Sequence, residues 1–397
     1  MRDRRILLTS AFLRAFATGL MGVLLGLYLA RLDFSAGEIG MVVGVGLSGA
    51  ALSSLVVTFL ADRLGRRASL LVLAALAAGG GVVLLWTTHL LVVCAAAFFG
   101  MVNGAERDRG AALVLEQAML PQTTDDAHRT RCFAWYDVLQ DAGHALGVLA
   151  AGLPALMNND TLFGYRVAIG VYAALYALTG LLYLGLSAAI EAPASSARWI
   201  PPVSPESRRI IARIAGLFAI DSFAGGFLGT ALLSYFFFVR FGVGEGAIAL
   251  LSFAARIANG GSHLAAAWLA ARIGLVRTMV FTHLPSHLAL IAVALVPQFW
   301  MAALLFLIRE LLVEMDVPTR QSYVMAVVKP EERTFASGVT SLVRLAGWAA
   351  GPFAAGALMQ GVALTMPLII GAALKIAYDL MLYRSFRDLK PPEERAP

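Results

Sequence analysis

Leu60-Ala61-Asp62-Arg63-Leu64-Gly65-Arg66-Arg67 forms a charged hairpin between two long apolar runs. Arginines and an aspartate do not partition into hydrocarbon, so this stretch must lie in water at a membrane surface. Its arginine excess places that surface on the cytoplasmic side. Outward from the loop the chain is apolar in both directions. The composition is 59% hydrophobic and 14% charged, against about 25% charged for an average soluble domain, and the mean hydropathy is +0.77. Apolar stretches able to cross a ~30 Å hydrocarbon layer recur at 7–30, 39–60, 69–87, 90–118, 132–156, 164–188, 211–238, 247–270, 276–296, 299–323, 334–359 and 364–384. No strand alternation runs through them, which argues against a barrel. The expected fold class is an all-α integral membrane protein with twelve transmembrane helices.

The net charge of +6 could point to nucleic acid, but its distribution does not. Of the 31 Lys and Arg residues, Arg31, Arg166 and Arg240 are the ones that fall in or at the edge of loops on the far side of these spans. The rest lie within spans or in cytoplasmic segments, a pattern that puts both termini in the cytoplasm. Met1-Arg2-Asp3-Arg4-Arg5 could open a signal peptide. The apolar run that follows is too long for one and lacks a small-residue cleavage site, so it reads as the first span. Cys94 and Cys132 make neither a disulfide framework nor a metal-ligand spacing.

The longest hydrophilic stretch runs from Glu191-Ala192-Pro193-Ala194-Ser195-Ser196 through Pro201-Pro202 and Pro205 to Arg208-Arg209. Rich in Pro and Ser and basic, it reads as a cytoplasmic linker over 191–210, joining a six-helix bundle at 1–190 to a second at 211–397. The two halves repeat each other. Arg129-Thr130 recurs as Arg333-Thr334, and in that register Gly143, Gly147 and Gly152 fall on Gly347, Gly351 and Gly356, with Glu106 on Glu310. In a nearby register Phe16, Gly22, Tyr28, Gly37 and Glu38 fall on Phe223, Gly229, Tyr235, Gly244 and Glu245. The opening loop has its own echo in Ala270-Ala271-Arg272-Ile273-Gly274.

Asp62-Arg63-x-Gly65-Arg66-Arg67 resembles the signature loop between the second and third helices of major facilitator superfamily transporters. Thr58 stands where that family carries a glycine. Two parallel, pseudo-symmetric six-helix bundles about an axis normal to the membrane are also what this superfamily looks like. The resemblance implies alternating access, the halves rocking around a central cavity. It implies a secondary active transporter of a small organic solute, acting outward and driven by proton exchange, in the cell (inner) membrane. The expected partners are the solute, protons and the lipid bilayer. No nucleic acid, cofactor or metal is expected, and the chain is expected to act as a monomer. The alternative is an importer or symporter of an organic anion; from a different class, a non-transporting sensor or scaffold on the same fold. An HExxH pair, a nucleophile elbow and a phosphate loop are all missing from the sequence, so no enzyme is expected.

A charge inside a span costs roughly 2.5–3.5 kcal/mol even on the lenient insertion scale, so each such residue needs a partner or a task. Arg14 in span one has Asp221 in span seven as its repeat mate, and the two are expected to face each other, either as a gating pair or as a static one. Asp137, Gln140, Asp141 and His144 share one face of span five, and an acid beside a histidine suits a proton relay. Expected proton carriers are Asp221, Asp141, His144 and Glu106. Expected substrate-facing residues are Arg14, Asn103, Tyr136, Gln140, Arg256, Asn259 and Arg344, whose guanidinium forks would suit a carboxylate or phosphate. Arg107, Asp108, Arg109 and Glu116 in span four, with Arg309, Glu310, Glu314, Asp316 and Arg320 in span ten, are expected to form a charge network. Asp62, Arg63, Gly65, Arg66 and Arg67 are read as a conformational latch. In it Asp62 would cap the start of span eleven while the arginines engage carboxylates or lipid headgroups. His283 and His287 have a metal-compatible spacing, but no third ligand is evident; a satisfied or lipid-boundary pair is expected. The glycines of spans five and eleven read as close-packing faces.

Overall fold

The structure, a computed structural model, describes residues 2–102, 104, 110–124, 129–157, 161–190, 204–315 and 333–386. Its α-helices are α1 (Arg2–Arg31), α2 (Ala36–Leu64), α3 (Arg66–Trp86), α4 (Leu90–Gly100), α5 (Ala111–Met119), α6 (Arg129–Ala150), α7 (Thr161–Leu184), α8 (Pro205–Gly226), α9 (Thr230–Phe241), α10 (Glu245–Ile273), α11 (Leu275–Leu295), α12 (Phe299–Val313), α13 (Arg333–Gly361) and α14 (Met366–Phe386). Local sequence sets their ends. Ser35 caps α2 in a reciprocal capping box with Glu38, which satisfies two donors that the first turn leaves open. Ser204 caps α8, with Pro205 in its first turn, where the missing N–H costs nothing.

Eight segments among the described residues are long and apolar enough to cross a membrane: Arg2–Arg31, Ala36–Thr58, Arg66–Trp86, Leu162–Leu184, Ser207–Phe241, Val276–Leu295, Gly338–Gly361 and Met366–Phe386. The chain is therefore a multi-pass, all-α membrane protein. The other four expected spans fall short for two reasons. Spans four and ten contain only short described helices, α4 with 11 residues and α12 with 15; α4 stops at Met101, whose φ of 53° is left-handed. Spans five and eight are the long helices α6 and α10, whose polar residues dilute their hydropathy.

The helices form two compact units. The first comprises Met1–Arg198 together with Gly229–Phe253, and the second Trp199–Leu228 together with Ala254–Pro397. In the first, α1 packs along α6 and α7; in the second, α8 packs along α13 and α14, and α11 along α12 and α14. The sequence repeat reappears as a repeat of contacts. In the first unit a Cβ added to Gly143 or Gly147 would strike the carbonyl oxygens of Phe12 and Phe16 on α1. In the second, Gly347 and Gly351 meet the carbonyls of Ala219 and Phe223 on α8 in the same way. Each glycine thus lets two helix backbones touch, the use expected of small residues between membrane helices. The loop echo holds as well. Gly65 between α2 and α3 has φ 91°, and Gly274 between α10 and α11 has φ 88°, a region in which a Cβ is strained. The Ser69 and Thr278 hydroxyls then donate back to the carbonyls of these two glycines, at 2.9 and 2.8 Å.

Candidate functional site

The first unit buries an ion pair at its centre. The guanidinium of Arg14 on α1 donates to Glu116 on α5, and the two side chains are 2% and 0% exposed. The Tyr136 hydroxyl on α6 donates to the same carboxylate oxygen at 2.7 Å, and Tyr183 on α7 donates to the other at 2.6 Å. Four helices therefore meet on one carboxylate. A lone buried carboxylate would be very costly, and a guanidinium with two phenols offsets that cost. Arg14 and Tyr183 also line a cavity with Thr18, Met101, Tyr172 and Tyr176. Its volume is about 40 Å³, space for a few waters rather than an organic solute.

The second unit holds two further charge clusters. Lys375 on α14 donates to Asp221 on α8 at 2.6 Å, both nearly fully buried. Arg309 on α12 donates to its neighbour Glu310, whose second oxygen accepts the Asn259 amide of α10 at 2.9 Å. Arg344 lies 5.9 Å from the Phe218 ring centroid.

At one end of the first unit, Arg31 closes α1 and Glu245 opens α10. Arg31 reaches Glu245 Oε1 at 3.1 Å and lies 4.9 Å from the centroid of the Phe238 ring. The Tyr165 hydroxyl donates to the same Glu245 oxygen at 2.5 Å. Burial pushes the Glu245 carboxyl up, but the bonds from Tyr165 and Arg31 outweigh it and hold the group below its ordinary value. Along the chain, α8 stops at Gly226 and α9 starts after Gly229, which cuts span seven. Ala231, at the start of α9, donates its N–H to the Gly104 carbonyl at 3.3 Å, and its own carbonyl lies against Gly26 of α1.

These positions revise several expectations. Arg14 pairs with Glu116 and Asp221 with Lys375, each inside its own unit. Asn259 and Tyr136, expected to face substrate, are buried hydrogen-bond donors to carboxylates. Arg309 and Glu310, both expected in the charge network, bond to each other as sequence neighbours. The α6 stripe divides: Asp137 and Asp141 are exposed, Gln140 is half-buried and His144 is buried. Arg66 and Arg67 donate to the carbonyls of Ala118 and Leu184, which lie in the last turns of α5 and α7, where helix dipoles favour cations. Arg256 is half-buried on α10, and Glu314 ends α12. Asn103, Glu106, Arg107, Asp108, Arg109, Asp316 and Arg320 lie outside the described residues, as do the side chains of Asp62 and Arg63. The sequence reading missed Lys375 as the partner of Asp221 and did not link Glu116 to Arg14. An unmatched charge in span twelve was the available signal for Lys375.

A family model described as Major Facilitator Superfamily matches residues 7–352. The chain belongs to the major facilitator superfamily. As a superfamily member it is a secondary transporter of a small organic solute working by alternating access, and not a catalyst. It is 24% identical to the uncharacterized membrane protein YJR124C of Saccharomyces cerevisiae, with 96% of this chain and 93% of that protein covered. Its fold is similar to that of the nucleoside transporter NupG, with a TM-score of 0.78 at 14% identity over 98% of this chain and 100% of that one. It is also similar to the human organic anion transporter MFSD10, with a TM-score of 0.64 at 16% identity over 96% and 99%.

Proposed function

We propose that the chain imports an organic anion together with a proton, and that Glu116 carries the proton. The supporting observation is the arrangement around Arg14, whose buried guanidinium sits on Glu116 at the edge of a small cavity. Protonating Glu116 removes the charge that balances Arg14. A substrate carboxylate or phosphate can then take over as the anionic partner of the guanidinium. Proton and anion binding help each other in this scheme, which is the thermodynamic condition for symport. Proton-driven efflux requires the opposite, that the two exclude each other, and the pairing at Arg14 favours symport over efflux.

The test uses the full chain in proteoliposomes, screened with labelled organic anions under an imposed inward proton gradient. Accumulation against the anion gradient is expected. Glu116→Gln should abolish it while leaving anion counterflow at zero proton gradient. Gradient-driven accumulation that survives in Glu116→Gln, or an anion driven outward by proton influx, would sink the scheme.

A further inference from the structure

His283 and His287 stand one turn apart on α11, and the structure brings Asp379 of α14 against both. His283 Nδ1 lies 3.2 Å from Asp379 Oδ1, and His287 Nε2 lies 3.4 Å from Oδ2. All three side chains are buried, at 2%, 0% and 0% exposure. One ligand atom from each lies within 4.8 Å of the others. The third group that the sequence reading lacked is therefore present, a whole helix pair away in sequence.

Hydrogen bonding fixes the chemistry of the cluster. His283 Nε2 is 3.0 Å from the Val313 carbonyl oxygen. A carbonyl only accepts, so Nε2 must carry the proton, and in the neutral ring the Nδ1 lone pair points at the Asp379 carboxylate. His287 Nε2 and Asp379 Oδ2 have no hydrogen-bond partner of adequate geometry. Two imidazole nitrogens thus converge on one carboxylate in a dry interior, an arrangement that a shared proton or a metal cation between them would satisfy. Lys375, one turn before Asp379 on α14, does not fill that role, because its ammonium is held by Asp221 at 2.6 Å.

We infer that His283, His287 and Asp379 bind a zinc-like divalent transition metal that ties α11 to α14. Two imidazoles and one carboxylate suit zinc or cobalt rather than magnesium or calcium. Tetrahedral coordination at about 2.0–2.1 Å gives ligand-to-ligand edges of about 3.3 Å; each histidine already stands 3.2 or 3.4 Å from one oxygen of the carboxylate, and closing the set from within 4.8 Å onto a metal needs only a small side-chain adjustment. The His283 bond to the Val313 carbonyl is the outer hydrogen bond that metal-bound histidines ordinarily make, fixing tautomer and ring orientation.

The full-length protein in detergent, stripped with a chelator, is titrated with Co²⁺ alone. One equivalent should give the visible absorption of tetrahedral cobalt, which Zn²⁺ then bleaches, and saturating Zn²⁺ should raise the thermal midpoint by a few degrees. His287→Ala and Asp379→Asn should lose the absorption; His89→Ala, at the exposed start of α4, should keep it. A wild-type protein that gives no cobalt spectrum and no zinc-dependent midpoint shift overturns the inference, since the cluster then holds only a proton. Equal binding by wild type and a folded His287→Ala variant overturns it too, by placing the metal elsewhere.

Discussion

Replacing Glu116 by Gln keeps the side-chain volume but leaves the Arg14 charge buried and uncompensated. Removing one member of a buried ion pair costs about 3–5 kcal/mol. The Gln carbonyl accepts from Tyr136 or Tyr183, but its amide then faces the other hydroxyl. That mismatch adds part of the roughly 1–3 kcal/mol of an unsatisfied buried group. The sum is about 5 kcal/mol, and at roughly 2–4 °C per kcal/mol the thermal midpoint in detergent should fall by about 10–20 °C. Arg14→Met in the same background removes the orphaned charge, so the double variant should recover most of that loss. The double-mutant cycle should yield a coupling energy of about 3 kcal/mol. A coupling below about 1 kcal/mol, the level of a solvated surface pair, would refute the idea that these groups neutralise each other in a dry interior. The proposed transport cycle depends on the same quantity, because a protonated Glu116 is electrically equivalent to the Gln variant. The energy that the variant loses is what an arriving anion would restore.

Gly147→Ala puts a methyl against the Phe16 carbonyl and should cost about 1–3 kcal/mol, whereas Gly170→Ala in α7 meets nothing within 4 Å and should gain about 0.5–1 kcal/mol. Thermal midpoints of the two variants should move in opposite directions. The Glu245 carboxyl is held below its ordinary value of 4.5, so its contribution is complete above pH 4.5 and is lost as pH falls through the lower, folded-state value. Glu245→Gln should therefore lower the midpoint by a similar amount at pH 6 and pH 8, and the difference from wild type should shrink in acid. A difference that grows on acidification would show the sign to be wrong.

Much of the fold can be read from the chain because hydrocarbon is an unforgiving solvent. The spacing of apolar runs, the charged loop at Asp62 and the glycine register of the two halves all follow from the need to bury helices and keep charge wet. The register was informative down to single contacts: Gly147 on Phe16 and Gly351 on Phe223 are repeat mates doing the same work. Partners were less legible. Arg14 and Asp221 are repeat mates, and that symmetry suggested that they pair, yet each found a carboxylate or amine on another helix of its own unit. Glu116 was read as one charge among several in span four, since nothing local shows that Arg14, Tyr136 and Tyr183 converge on it. The His283–His287 spacing was visible, but Asp379 was not assigned to it, because helix periodicity reports which residues share a face and not which helix that face meets.

By itself the sequence determined that this chain is a multi-pass helical membrane protein whose glycines recur in register, because hydropathy and repeat register are properties of the chain that no packing can change. Only the tertiary structure decided which buried charges neutralise which, and so which carboxylate is left to answer a proton or a metal. Such pairings join residues about a hundred positions apart through distances of a few ångströms, and those distances come into being when the helices pack.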